Sequence, residues 1–155
     1  MTRPELILKT IEKNPGIRFR EIMDELELKN GALSHHLQKL EGQSVLRVER
    51  TPRVARFYPL SVNEVEIPII TRLRQETPRR ILCLLLDVDE VNFSEMFLRI
   101  KRSPSTTSRY VTELVNDNII KDRFDNGKRF FSLPDKNTVN KLISKYHPSL
   151  MDRTI

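Results

Sequence analysis

Apolar residues near the start of the chain sit three and four positions apart. Leu6, Ile7, Thr10 and Ile11 form one stripe of a helix, and Pro4 suits its first turn. "NPG" ends that helix, and "IRF" is too short for more than an extended step. "FREIMDELEL" predicts a second helix with Ile22, Met23 and Leu26 inward. "KNG" then predicts a turn. "ALSHHLQKL" predicts a third helix, with Leu33, Leu37 and Leu40 at i, i+4 and i+7. "SVLRVER" and "ARFYPL", separated by "TPRV", read as two strands of a hairpin.

The pattern then recurs. A shift of 74 positions brings Pro4 onto Pro78, Ile7 onto Ile81, Phe19 onto Phe93 and Glu21 onto Glu95. It also brings Ser34 onto Ser108, Leu40 onto Leu114 and Phe57 onto Phe131. The apolar phase holds for more than forty residues without a gap, as two copies of one supersecondary unit would require. The second copy runs "RRILCLLLDV", "VNF", "SEMFLRIKR", "SPSTTSRYVTELVND", "IIKDRF", "DNG" and "KRFFSL". Ser103-Pro104 reads as an N-cap followed by proline in the first turn. Asp125-Asn126-Gly127 reads as a turn, because Asn and Gly accept positive φ.

Helix, short strand, helix, turn, helix and hairpin is the order of a winged helix-turn-helix. The fold class expected is mainly α with small β-hairpin wings, two such domains in tandem. Domain 1 is expected over 1–60, an ordered linker over 61–77, domain 2 over 78–134, and a C-terminal helix and tail over 135–155. "LSHHLQKL" followed by "VL" resembles the S-x-H-L-x-x-L segment of ArsR- and MarR-type regulators, through Ser34, His36, Leu37 and Leu40. "SPSTTSRYVTELV" is similar to the third helix of many winged-helix repressors. The resemblance covers Pro4 to about Leu60 and Pro78 to about Leu133, and the pair together resembles tandem winged-helix regulators predicted in archaea. It implies DNA binding and transcription regulation. The cysteine-rich metal-sensing motifs of ArsR proteins are missing, so metal sensing does not carry over.

Composition supports an anionic partner. The net charge is +6 and 31% of residues are charged, in a chain of 155 residues. Residues 1–76 carry net +2 and residues 77–155 net +4, so both copies suit DNA. The segment "MDELELK" is locally acidic and would face away from phosphates. Cys83 is the one cysteine, which excludes an internal disulfide or a thiolate zinc site. "ILCLLL" is far too short to span a bilayer, and charges interrupt the apolar residues of the N-terminus. A cytoplasmic, nucleoid-associated protein without cofactor, metal or membrane is expected. With 4 Gly, no phosphate loop and no nucleophile elbow, an enzyme is not expected.

The third helices carry the candidate chemistry. Anchoring Leu33, Leu37 and Leu40 inward turns Asn30, Gly31, Ser34, His35 and Gln38 outward. Asn and Gln can pair with adenine in the major groove, and Gly31 and Ala32 leave room for a phosphate. The second copy exposes Ser105, Thr106, Ser108, Arg109 and Thr112, with Arg109 the natural guanine reader. His35 is a candidate base contact. His36 lies between Leu33 and Leu40 on the wheel and is expected half-buried, bonded to a backbone group. Its counterpart Tyr110 argues against a metal ligand. Expected phosphate contacts are Arg47, Arg50, Arg53 and Arg56 on the first hairpin, and Lys121, Arg123, Lys128 and Arg129 on the second.

Three further stretches bear on partners. The linker around Ile69, Ile70 and Leu73 is too apolar for a floppy spacer and suits a short helix between the copies. The helix around Ile81–Leu86 is apolar on nearly every side, which calls for cover from the other copy or a dimer, with Cys83 as a small hydrophobe there. Val139, Leu142, Ile143 and Tyr146 predict an amphipathic helix ended by His147-Pro148, which caps its own domain or builds a homodimer. The rival function is a protein–protein adaptor in a transcription or other assembly, without direct DNA binding. An adaptor would show apolar or acidic residues on the outer face of each third helix, and this chain shows polar and basic ones.

Overall fold

The computed structural model describes the backbone of residues 1–151 and the side chains of residues 1–146. It divides into two compact units, the first Met1–Thr71 and the second from Arg72 onward. Both are mostly helical, and each has one small antiparallel sheet.

Unit 1 opens with α1 (Arg3–Lys13). Thr2 and Glu5 close a capping box: the Thr2 hydroxyl accepts from the Glu5 amide at 3.3 Å, and the Glu5 carboxylate accepts from the Thr2 amide at 3.1 Å. Ile7 and Ile11 are fully buried on its inner stripe, whereas Leu6 stays 39% exposed. At the C-terminus of α1 the Asn14 amide side chain donates to the Thr10 carbonyl. Gly16 takes a positive φ of 84° and turns the chain into β1 (Ile17–Arg18). α2 (Phe19–Leu26) and α3 (Asn30–Gly42) follow. The turn between them is not at Lys29-Asn30-Gly31 as the sequence suggested. Glu27 adopts the left-handed conformation and ends α2, so Asn30 and Gly31 already lie in the first turn of α3.

β2 (Leu46–Arg50) and β3 (Ala55–Pro59) complete the sheet in the order β1-β3-β2. Phe57 of β3 faces Ile17 on one side and Val48 on the other. Ile7, Ile11, Ile22, Leu33, Leu37 and Phe57 form the centre of one core. α4 (Ile67–Leu73) arises within the stretch read as a linker and runs across the boundary of the two units. Its Thr71 hydroxyl donates to the Ile67 carbonyl at 2.8 Å and is hydrogen-bonded to the buried Tyr58 hydroxyl.

Unit 2 repeats the order. α5 (Glu76–Asp87) leads to β4 (Val91–Asn92), α6 (Phe93–Ile100), α7 (Pro104–Asn116), β5 (Lys121–Asp125) and β6 (Lys128–Ser132), with sheet order β4-β6-β5. The strand pairs keep the 74-residue offset: Val48↔Phe57 corresponds to Asp122↔Phe131, and Arg50↔Ala55 to Phe124↔Arg129. Asn126 and Gly127, at φ of 50° and 75°, make the tight turn expected of them.

α8 (Lys136–Met151) then packs on α5, burying Val139 and Leu142. The helix does not end at His147-Pro148 but continues to Met151. A proline removes one i→i−4 bond without forbidding those that flank it. With α6, α7 and α8 all against it, α5 buries Ile81, Leu82 and Leu85, while Cys83, Leu84 and Leu86 stay half-exposed. Burial pushes the Cys83 thiol up, which suits an inert small hydrophobe.

Candidate nucleic-acid interface

Each unit offers a helix with one anchored face and one open face. On α3, Leu33, Leu37 and Leu40 are buried. Asn30, His35 and Gln38 are exposed, and Ser34 is half-exposed. On α7, Thr107, Val111 and Leu114 are buried, Ser105, Ser108, Arg109 and Thr112 are exposed, and Thr106 is half-exposed. All nine candidate base contacts therefore reach solvent, on two separate helices.

The two helix starts differ. Ser103 caps α7, its hydroxyl accepting from the Thr106 amide at 3.1 Å. Lys29 gives α3 no side-chain cap, and a Cβ at Gly31 would meet nothing within 4 Å. The first-turn amides of α3 therefore have no side-chain cap from Lys29, unlike those of α7. Arg109 is 62% exposed at its side chain, lies 3.7 Å from Glu113 and 4.9 Å from the Tyr110 ring centre. Among the described residues, its guanidinium is held only by these two exposed contacts. The Thr112 hydroxyl donates to the Ser108 carbonyl, so Thr112 would act mainly as an acceptor or through its methyl.

His36 is half-buried as expected, but its ring forms no hydrogen bond to the backbone of the described residues. It stands edge-on to His35, with ring centres 5.7 Å apart. The neighbouring concavity, about 240 Å³, is bounded by Pro4, both histidines, Lys39 and Gln43. Among the described residues, no group of three or more His, Cys, Asp and Glu side chains could hold a metal ion.

The hairpin cations divide sharply. Arg56, expected on phosphate, is instead buried at 9% exposure. It donates to the Gly16 carbonyl at 2.9 Å, and its Nε finds no partner among the described residues. Burial lowers its proton affinity and leaves it little surface to offer a phosphate. The β1–β3 pairing explains this: Arg56 faces Arg18 across the ladder, directly under the turn at Gly16. Arg47 lies 3.3 Å from Glu64. Arg50 binds Glu41 through two bonds of 2.8 and 2.7 Å, which hold the Glu41 carboxyl below the usual glutamate range. Arg53 is exposed and forms no ion pair among the described residues.

On the second hairpin, Arg123 binds Glu90 through two bonds and lowers that carboxyl in the same way. Arg129 binds Asp122 at 2.9 Å. Lys121 and Lys128 are exposed and form no ion pair among the described residues. Lys128 also lines a concavity of about 270 Å³ beside Asn92, Ser94 and Gly127, where the start of α6 meets the hairpin turn. Sequence reasoning missed Phe124, 72% exposed on the second hairpin. Its position beside "DNG" was the available signal, because a phenyl at a hairpin tip has little core to reach.

Residues 2–69 match the family model described as HTH_HVO_0163_N, N-terminal HTH domain. The first unit is accordingly a helix-turn-helix, and its β2–β3 hairpin makes it a winged one. No curated protein matches the chain. Among solved structures, the chain is similar to HlyU from Vibrio cholerae N16961 at 25% identity, over 54% of this chain and 89% of that one, with a TM-score of 0.47. It is also similar to a chain of the endosomal complex ESCRT-II (VPS22/VPS25/VPS36) at 13% identity, over 86% of this chain and 61% of that one, with a TM-score of 0.31. Both scores are low, and the fold rests on the elements described above. No helix among the described residues is long and apolar enough to cross a membrane.

Proposed function

We propose that the chain is a double-stranded DNA-binding transcription regulator built from two winged helix-turn-helix domains. α3 and α7 read major grooves, and exposed hairpin cations hold phosphates. The observation that carries this reading is the open face of α3 and α7, where Asn30, His35, Gln38, Ser105, Ser108 and Arg109 are exposed beside buried anchors. These are the side chains that pair with base edges, and a helix fits the groove that displays those edges. The helix-turn-helix family match over residues 2–69 and the net charge of +6 support it. The exposed side chains on these faces are mainly polar or basic, with Glu113 beside Arg109 the acidic exception on α7, whereas a protein adaptor would present mostly apolar or acidic ones.

The test is a fluorescence-anisotropy titration of genomic duplexes at two salt concentrations. Arg109→Ala with Gln38→Ala should flatten sequence preference, at about 1–3 kcal/mol for each bidentate hydrogen-bonded pair removed. Arg53→Ala with Lys128→Ala should weaken all duplexes alike and lower the salt slope by about one unit per phosphate contact. Equal losses on every sequence from the first pair would count against base reading.

A further inference from the structure

We propose that the second hairpin contacts duplex DNA through an apolar tip: the Phe124 ring packs on sugars and base edges at a groove rim, with Lys121 and Lys128 on the adjoining phosphates. The proposal rests on the DNA-binding reading above. It assigns the hairpin a nonionic contact that a phosphate clamp does not have.

Four observations converge on it. First, strand alternation puts Phe124 on the same face as Phe131, which is fully buried, yet Phe124 is 72% exposed. The ladder places Phe124↔Arg129 two residues nearer the turn than Asp122↔Phe131, so the hairpin runs past the core. A phenyl there buries little in the folded unit and keeps most of its burial energy for a partner. Second, the ring has a cationic border. The Arg129 guanidinium carbon lies 5.9 Å from its centre, and the hairpin Lys121–Ser132 carries four basic against two acidic residues. That balance suits a polyanion with apolar walls between its charges, which is what a groove edge offers.

Third, the ionic capacity of the hairpin is small. Arg123 and Arg129 are already tied to Glu90 and Asp122, which leaves Lys121 and Lys128 for phosphates. Further binding energy from this element has to come from contact that salt does not screen. Fourth, the arrangement belongs to this unit alone. The first hairpin has Arg50 at the equivalent position, held by Glu41, and no exposed aromatic side chain.

The experiment measures binding of the full chain to a mixed-sequence duplex at two salt concentrations, with sedimentation of the free protein alongside. Phe124→Ala should weaken binding about tenfold at both salts and leave the salt slope unchanged. Phe124→Leu should keep most of the affinity, and Lys128→Ala should lower the slope by about one unit. If the unaltered chain binds and Phe124→Ala binds equally well, the proposal falls while the DNA reading stands. A loss confined to low salt, or an unchanged affinity with a dimer converted to monomer, overturns it in favour of an ionic or a protein contact. Failure of the unaltered chain to bind any duplex overturns both readings.

Discussion

The two units share an element order and a ladder register, yet equivalent positions do different work. Arg56 and Phe130 occupy the same place in their sheets, and so do Leu33 and Thr107 in their third helices. Arg50 and Glu41, joined by two hydrogen bonds, correspond to Phe124 and Val115. Unit 1 therefore seats a guanidinium inside its sheet and pins another to α3. Unit 2 places a hydroxyl in its core and a phenyl in solvent. Backbone pattern sets which positions face each other, and side-chain chemistry then decides whether a position holds the fold or remains open to a partner.

Substitutions at these paired positions can break or sharpen the contrast. The largest effect is expected from Arg56→Ala, which removes a buried charged donor and leaves the Gly16 carbonyl unpaired. Chemical denaturation should show a loss of about 2 kcal/mol. The salt slope of DNA binding should not change, because Arg56 is buried; a lower slope would return Arg56 to the binding surface.

Next comes Thr107→Val. The Thr107 hydroxyl is fully buried without a partner among the described residues, where unit 1 has Leu33. An isosteric apolar side chain should stabilise unit 2 by about 1 kcal/mol, read from the same denaturation curves. Destabilisation would mean that the hydroxyl has a partner after all.

The smallest effect belongs to Glu41→Gln. Releasing Arg50 should raise the salt slope of DNA binding by up to about one unit and the affinity less than threefold, since an exposed pair is held weakly. Acidification should act the same way. The Glu41 carboxyl is depressed by Arg50, so the tie is intact above the ordinary glutamate range and is lost only as pH falls through the lowered value. A slope unaffected by both treatments would show that Arg50 faces no phosphate even when free.

Much of the fold was legible because its signals are local. Leu33, Leu37 and Leu40 announce α3 through spacing alone, and Asn126-Gly127 announces its turn through backbone preference. The start of α3 was misjudged because Asn30-Gly31 also spells a turn; only Glu27 in the left-handed region moves the break upstream. Exposure of the polar faces of α3 and α7 followed from the same periodicity. The state of the hairpin cations did not, since it depends on long-range partners. Glu90 lies 33 positions from Arg123, and the Gly16 carbonyl lies 40 positions from Arg56. Net charge cannot show which cations are already engaged.

α8 seals α5 by burying Val139 and Leu142, which has a consequence for biosynthesis. The residues that complete the first unit leave the ribosome early, whereas the second waits for the segment from Lys136 onward before the last of its apolar helix is covered. A nascent or clipped polypeptide lacking that segment would leave the α5 surface under Val139 and Leu142 open to solvent, where chaperones and proteases can reach it.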